Sequence, residues 1–239
     1  MGPLASLKVT AGVPETEAIA SLIEQNRLPP PRPHSIPPAL AQVCEAIASS
    51  GSDSIPPKSY FDAVETLPVG YLIWSRFPVS VYVEPLTNVH ESIRLRWDQA
   101  IAAALQDWGQ YISLEEIPNP ETAAIRIHPV QPPIRRNPDG TFRAQAGETH
   151  YQFYLQHAGD TQVLMQRFDV SVKPGQAARQ LEATLRHELG HAFGIWGHSS
   201  NPEDALYYSQ VAVPPAVSAG DIMTLCEIYR QPTSIGWPL

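Results

Sequence analysis

The stretch HELGHAFGIWGHS, residues 187–199, is the most informative part of this chain. His187 and His191 are four residues apart, so on a helix both imidazoles lie on one face. Apolar residues recur on the opposite side of the same helix: Leu181, Leu185, Leu189, Ala192 and Phe193. The pattern predicts a helix over about residues 176–192 that packs its apolar side on the core and turns its histidines towards a cleft.

Two imidazoles on one helical face can bind a single metal ion, and Glu188 beside them can take a proton from an attacking water. Because a bare H-E-x-x-H arises by chance in roughly two chains per hundred of this composition, a third ligand matters. His198 is the candidate, since Gly194 can end the helix in a left-handed turn and Gly197 adds a second flexible point. Three acidic residues without such a turn are weaker candidates: Asp204, Asp221 and Glu227.

Hydrophobic periodicity in the rest of the chain predicts an α+β domain with a mixed twisted sheet. Alternating apolar residues predict strands around residues 79–83, 125–127, 151–155 and 168–172. A long amphipathic helix from Asn88 to about Tyr111 is expected to back the sheet, and a last helix is expected to begin near Ser218. Residues 132–140, PPIRRNPDG, are expected to form a turn-rich loop.

The first 75 residues are expected to form a proline-rich N-terminal arm or a prosegment, ahead of a catalytic domain over residues 76–239. Residues 1–27 are polar with helical character, and residues 28–38, LPPPRPHSIPP, are typical of a polyproline spacer. Residues 39–49 return to helical periodicity. Removal of residues 1–75 is therefore expected to leave a folded domain.

Composition and charge limit the classes of protein that fit. Of the 239 residues 43% are hydrophobic and the formal net charge is −8, which favours a folded soluble protein and disfavours a nucleic-acid partner. No apolar run approaches the ~18 residues of a membrane span, and the N-terminus lacks the regions of a signal peptide. With two cysteines, Cys44 and Cys226, there is no disulfide framework; one bridge and two free thiols both fit the sequence.

The motif residues resemble the metzincin metallopeptidases and, among them, the matrixins, whose pattern is H-E-x-x-H-x-x-G-x-x-H followed by a methionine turn. His187, Glu188, His191 and Gly194 match this pattern, and His198 comes one residue later than its third histidine. The pair at residues 198–199 is similar to the matrixin His-Ser, and SAGDIMTLCEIY, residues 218–229, to the matrixin C-terminal helix. The resemblance covers about residues 76–232 and includes uncharacterised matrixin-like proteins of cyanobacteria.

This resemblance implies a zinc-dependent metalloendopeptidase with one catalytic zinc ion, bound by His187, His191 and His198, and Glu188 as general base. A peptide or protein substrate would bind in extended form along an edge strand, either at residues 151–155 or at residues 168–172. The loop over residues 210–219 would wall the main specificity pocket. The alternatives are a catalytically weak or inactive zinc-binding protein of the same fold that binds peptides, and a different zinc hydrolase on the same helix motif.

The second zinc and the calcium ions that matrixins often carry are not supported, because the His-x-Asp pattern of that zinc site is missing. Three further histidines are assigned to ordinary strand or loop positions: His128, His150 and His157. Export from the cell fits the resemblance, whereas the sequence shows no signal peptide, so localisation is left open. The substrate, the cleavage specificity and the oligomeric state are likewise not determined by the sequence.

Two positions differ from the matrixin pattern in ways that lead to specific hypotheses. Tyr207 stands where that family has the methionine of its turn, and we expect its ring beneath the three histidines, with Met223 as the alternative. Cys44 invites comparison with the matrixin cysteine that blocks zinc as a thiolate. Its flanking residues do not resemble that motif, and its place on an apolar stripe favours a buried structural cysteine.

Overall fold

The computed structural model describes residues 13–49, 58–136, 142–143 and 145–239. The helices are α1 (Val13–Glu24), α2 (Pro38–Ser49), α3 (Glu91–Gly109), α4 (Ala178–Ala192) and α5 (Ala219–Ile228), with a 3₁₀ turn at Phe61–Ala63. The strands are β1 (Val79–Val83), β2 (Leu114–Glu116), β3 (Ile125–His128), β4 (Arg135–Arg136), β5 (Phe142–Arg143), β6 (Gly147–Ala158) and β7 (Thr161–Val172). The fold is therefore α+β, as the sequence predicts.

The main sheet has five strands in the order β2-β1-β3-β7-β6. The first four run parallel to one another, and β6 runs antiparallel to β7. Strand β6 thus lies at one edge, and among the strands that the structure describes it pairs with β7 alone. Of the two candidates for an edge strand, residues 151–155 lie at the edge, whereas residues 168–172 lie between β3 and β6.

The predicted apolar stripes of the helices form the core. On α3, Trp97, Ile101, Leu105 and Trp108 are buried, and the apolar residues that the sequence assigns to one side of α4 are fully buried. The Trp108 indole donates to the Arg186 carbonyl over 2.9 Å, which joins α3 to α4. The start of α3 differs from the prediction, because His90 is the N-cap and Asn88 has a φ of 58°. In the described part of the chain, no helix has the length and apolar character to cross a membrane.

The turn-rich loop expected at residues 132–140 lies partly outside the described residues. Its residues 135–136 form β4, which pairs antiparallel with β5 in a small second sheet. Residues 137–141 and 144 are not described, so the rest of that prediction is not examined by the structure.

Residues before position 75 pack into the same core as the rest of the chain. Nine of their apolar side chains belong to it: Ile19, Leu40, Cys44, Val64, Leu67, Val69, Leu72, Ile73 and Trp74. The predicted spacer is docked as well, because Arg32 pairs with Thr233 and His34 stacks on Trp237. Helix α1 packs against β6, while residues 1–12 and 50–57 lie outside the described part.

Cys44 of α2 and Cys226 of α5 form a disulfide bond, so neither cysteine is a free thiol. Of the two alternatives that the sequence leaves open, the structure therefore has the bridge. A bridged Cys44 has no thiolate to offer a metal ion, which removes the comparison with a latency cysteine. Disulfide bonds persist mainly in oxidising compartments, and this favours export, which stays a prediction.

Candidate metal centre

The structure brings His187, His191 and His198 together. Their candidate ligand atoms all lie within 4.8 Å of one another. His187 and His191 extend from α4, one helical turn apart, and His198 comes from the loop that follows the helix. His191 is buried, His187 is half-buried and His198 is exposed, so the cluster opens to solvent on the side of His198.

Hydrogen bonds fix the orientation of the two helical imidazoles. Nδ1 of His187 is 2.8 Å from the Ala205 carbonyl, and Nδ1 of His191 is 2.7 Å from the Ile195 carbonyl. A carbonyl oxygen accepts only, so both Nδ1 atoms carry a hydrogen and, in neutral rings, both Nε2 atoms present a lone pair. The two Nε2 atoms are 3.2 Å apart and cannot hydrogen-bond to each other in this tautomer.

Two lone pairs at this distance repel each other unless a cation lies between them. Zinc binds imidazole nitrogen at about 2.0–2.1 Å in tetrahedral sites, which places two such nitrogens about 3.3 Å apart. Metal-bound histidines also commonly donate their other ring N–H to a carbonyl. The observed 3.2 Å and the two carbonyl contacts therefore fit a metal ion such as zinc.

Burial keeps the two helical imidazoles neutral. It lowers the pKa of His187 to about 4, aided by the nearby His198 and opposed by the bond to Ala205. It also lowers the pKa of His191 well below the usual value, and the neighbouring histidines act in the same direction. Since only neutral imidazole can be a ligand, both residues are in the ligand form at neutral pH.

The turn after α4 requires glycine at position 194. Gly194 has a φ of +117°, and a Cβ there would lie 2.5 Å from the Leu72 carbonyl oxygen. The prediction that Gly194 ends the helix in a left-handed conformation is thus confirmed. The chain then runs through Gly197, which pairs with Val64, to His198. Residues from before position 75 therefore hold the loop that carries the third histidine.

A buried carboxylate supports the loop that orients His187. Asp221 of α5 accepts hydrogen bonds from the main-chain N–H of Ala205 at 2.8 Å, from Ser218 N–H at 2.7 Å and from the Tyr60 hydroxyl at 2.5 Å. Burial raises the pKa of Asp221, whereas these hydrogen bonds lower it. Ala205, whose N–H bonds to Asp221, in turn accepts the Nδ1–H of His187 through its own carbonyl.

A second carboxylate anchors the residue after His198. Asp204 accepts from the Ser199 hydroxyl and, at 2.6 Å, from the Ser218 hydroxyl. The sequence makes Asp204 and Asp221 only weaker candidates for the third ligand. In the structure, both carboxylates accept hydrogen bonds from the loops around the site. The sequence does not distinguish a carboxylate that binds a metal from one that holds a loop, because the path of the loops after the motif is not known from sequence.

Among the described residues, no ring contact places Tyr207 beneath the three histidines. It is half-buried, and its ring packs against Tyr208 with centroids 4.5 Å apart. Leu206 is fully buried instead, with Cδ2 2.5 Å from the place of a Cβ on Gly190. Apolar support for α4 from this loop thus comes from Leu206. The hypothesis for Tyr207 gains no support, and Met223 is half-buried in α5.

Glu188 is 7% exposed and lies against the edge strand β6. The Thr149 hydroxyl donates to its Oε2 at 2.7 Å. Burial raises the pKa of Glu188 to about 7, a rise that the Thr149 hydrogen bond opposes and the nearby Glu148 increases. A carboxyl group with this pKa can accept a proton and release it near neutral pH.

His128 is held more firmly than an ordinary strand histidine. Its ring lies between Glu84, at 2.6 Å from Nδ1, and Asp169, at 3.1 Å from Nε2. The Asp169 hydrogen bond is the largest of the effects that raise the pKa of His128. Asp169 also forms a two-pronged ion pair with Arg126 at 2.6 and 2.7 Å. These residues lie on β3, on β7 and directly after β1, and their side chains bond to one another.

The chain was compared with known proteins at the levels of family and individual sequence. No model of a known protein family matches it, and no curated protein matches it either.

Proposed function

We propose that this protein is a zinc-dependent metalloendopeptidase of the metzincin type. The observation that carries the proposal is the pair of neutral imidazoles whose Nε2 lone pairs meet at 3.2 Å beside the exposed His198. The resemblance of residues 187–199 to the matrixin motif supports the same function. When bound by these three histidines, zinc would polarise the scissile carbonyl and make an attacking water more acidic.

Glu188 is the proposed general base. It neighbours a metal ligand in sequence without being one, and its carboxyl group is held by Thr149. It would take the proton of the attacking water and pass that proton to the leaving amine, so the carboxylate is regenerated in each turnover.

The proposed substrate is an extended peptide that pairs with β6. This strand lies at the edge of the sheet and carries Thr149 against Glu188, so a peptide on that edge would pass the base. An edge strand binds a peptide through main-chain hydrogen bonds. The wall of the main pocket would be the loop over residues 210–219, which Arg186 holds through the Pro215 carbonyl at 3.0 Å.

The test is a proteolysis assay on an unfolded protein substrate, with elemental analysis of the purified enzyme. Wild type should contain one zinc ion per chain and cleave the substrate, and a chelator should stop cleavage. Glu188→Ala should keep its zinc and lose activity by about 10²–10⁴-fold, the usual effect of losing a general base. Glu115→Ala changes an exposed glutamate of β2, at the opposite edge of the sheet, and should behave as wild type.

Two outcomes would contradict parts of the proposal. Full activity of Glu188→Ala would exclude this residue as the base. Unchanged zinc affinity in His198→Ala would exclude His198 as the third ligand. A wild-type protein that binds zinc and peptide but cleaves nothing would instead be the inactive peptide-binding protein that the sequence leaves as an alternative.

A further inference from the structure

Thr149 ties the carboxyl group of Glu188 to the edge strand. Its hydroxyl lies 2.7 Å from Glu188 Oε2 and 3.0 Å from the main-chain oxygen of the same residue. Thr149 is only 7% exposed, so water has little access to these contacts. The side chain of the proposed base is therefore positioned by a strand residue that the metal-binding motif does not contain.

Because Gly147 has no side chain, the carboxyl group of Glu188 can occupy the space beside it. Gly147 and Thr149 are two residues apart on β6 and so face the same side of the strand. A Cβ on Gly147 would lie 2.7 Å from both Cγ and Oε1 of Glu188 and 2.6 Å from Cγ2 of Thr184. Its φ is not in the left-handed region, so lack of space, and not backbone strain, calls for glycine here.

From these contacts we propose that Thr149 is a positioning residue for Glu188. Gly147 keeps open the space in which Thr149 holds the Glu188 carboxyl group. The inference rests on the peptidase function proposed above. A hydroxyl has one proton and two lone pairs. Thr149 can thus donate to the carboxylate, or accept from the carboxylic acid while it donates to the Glu188 main-chain oxygen. One side chain holds the base before and after proton uptake.

The same strand would then position both the base and the peptide. β6 carries Thr149 on the side that faces α4, while its edge away from β7 is the proposed site for the substrate main chain. A displacement of the strand would move both together and preserve their relative position. Small errors in such a position are costly, since a shift of about 1 Å can lower a rate on the order of 10²-fold.

The first test compares Thr149→Val, which removes the hydroxyl at similar volume, with Thr149→Ser, which keeps it. Thr149→Val should lower kcat for a peptide substrate by about 10–100-fold, with KM and zinc content close to wild type. Thr149→Ser should recover most of the lost kcat. Thr184→Val is the matched control, because it removes a hydroxyl of α4 that bonds Gln176 and the Gln180 carbonyl.

The second test uses Gly147→Ala, which should lower kcat by pushing the carboxyl group aside. Gly175→Ala is its control, since a Cβ at that glycine would meet no atom within 4 Å. In a Glu188→Gln background, Thr149→Val should cost almost nothing more, because the two residues act as one unit.

Three results would overturn the inference. They are wild-type kcat in Thr149→Val, no recovery in Thr149→Ser, and an equally large loss in the Glu188→Gln background. If Thr149→Val does not fold, Gly147→Ala decides, and wild-type kcat in that variant overturns the inference. Absence of peptide hydrolysis by the wild type overturns the proposed function and the inference with it, so the two failures are distinguishable.

Discussion

At the scale of single residues, Glu188 combines a buried position with a charge that the proposed reaction needs. Burial disfavours the ionised carboxyl group, and among the described side chains the Thr149 hydroxyl alone offsets this through a hydrogen bond. A buried acid with a raised pKa makes the metal-free protein less stable at every pH at which the unfolded chain releases the proton. The buried position of Glu188 therefore has a measurable cost in stability.

The first prediction concerns Glu188→Gln in metal-free protein. The pKa of Glu188 is about 7 in the fold against an ordinary value of 4.5. Below pH 4.5 the group is protonated in both states and imposes no penalty. From pH 4.5 to 7 the unfolded chain releases the proton that the fold retains, so wild-type stability falls as pH rises. Glu188→Gln should thus be increasingly more stable than wild type from pH 5 to pH 8.

Urea denaturation of chelator-treated protein at both pH values measures this difference. The histidines are present in both proteins, so their own titration largely cancels in the comparison. Glu115→Gln, at an exposed site of β2, should show no such trend. A difference between Glu188→Gln and wild type that is constant with pH would mean that Glu188 has no raised pKa in the fold.

The helical residues of the candidate site could be predicted from sequence because their spacing is fixed by helix geometry. His187, Glu188 and His191 lie within two turns of one helix, where positions follow from 3.6 residues per turn. Thr149 could not be found in this way. It lies 39 positions away in the chain and reaches Glu188 only through the packing of β6 on α4. One signal was available, since residue 149 continues the inward alternation of residues 151, 153 and 155.

At the scale of elements, the turn after α4 decides where His198 lies. The helix ends at Ala192, and Gly194 reverses the chain against the Leu72 carbonyl. Ile195 returns its own carbonyl to Nδ1 of His191. The turn therefore delivers the third histidine and orients the second one. A change in this backbone should affect metal binding without touching a ligand.

The second prediction is that Gly194→Ala lowers both stability and zinc affinity. Alanine at a φ of +117° is strained, and its Cβ would lie 2.5 Å from the Leu72 oxygen. Such strain costs about 1–3 kcal/mol. Urea denaturation and zinc titration against a competing chelator measure the two effects. Gly175→Ala, with open space around its Cβ, should change neither, and unchanged zinc affinity in Gly194→Ala would show that the turn does not position the ligands.

Helices and strands were predictable where hydrophobic periodicity is strong. Features that depend on tertiary packing were less predictable. The alternation in β1, β3, β6 and β7 identified these strands, and the apolar stripes of α3 and α4 identified the helices. The choice of β6 as the edge strand needed the sheet order, which periodicity does not contain. Which residue packs beneath α4 also depended on packing. The adjacent residues Leu206 and Tyr207 are both large enough to fill that place.

At the scale of the whole molecule, described residues before position 75 make direct contacts with the candidate site. Val64 pairs with Gly197 just before His198, and the Tyr60 hydroxyl bonds to Asp221 behind the loop that orients His187. The disulfide between Cys44 and Cys226 links α2 to α5. Composition suggested an arm, because proline-rich segments are typical of spacers. It could not reveal that these prolines lie beside residues that pair with the C-terminal segment.

The last prediction concerns truncation, for which the sequence and the structure lead to opposite results. The boundary near residue 75 predicts that residues 76–239 fold alone. Within residues 58–75, which that cut removes, six side chains are buried, namely Val64, Leu67, Val69, Leu72, Ile73 and Trp74. At about 1.5–3 kcal/mol each, their burial contributes on the order of 10 kcal/mol, comparable to the about 5–15 kcal/mol stability of a typical protein.

A chain of residues 76–239 with Cys226→Ala should therefore fail to unfold cooperatively and should not retain zinc. A chain of residues 58–239 with the same substitution keeps those six side chains, the Val64–Gly197 pairing and the Tyr60–Asp221 hydrogen bond. It should fold and bind zinc with reduced stability. The full chain with Cys44→Ala and Cys226→Ala isolates the loss of the disulfide, for which about 2–5 kcal/mol is usual. Cooperative unfolding and zinc binding by residues 76–239 would instead establish the boundary near residue 75, because packing against residues 58–75 would then be dispensable for the site.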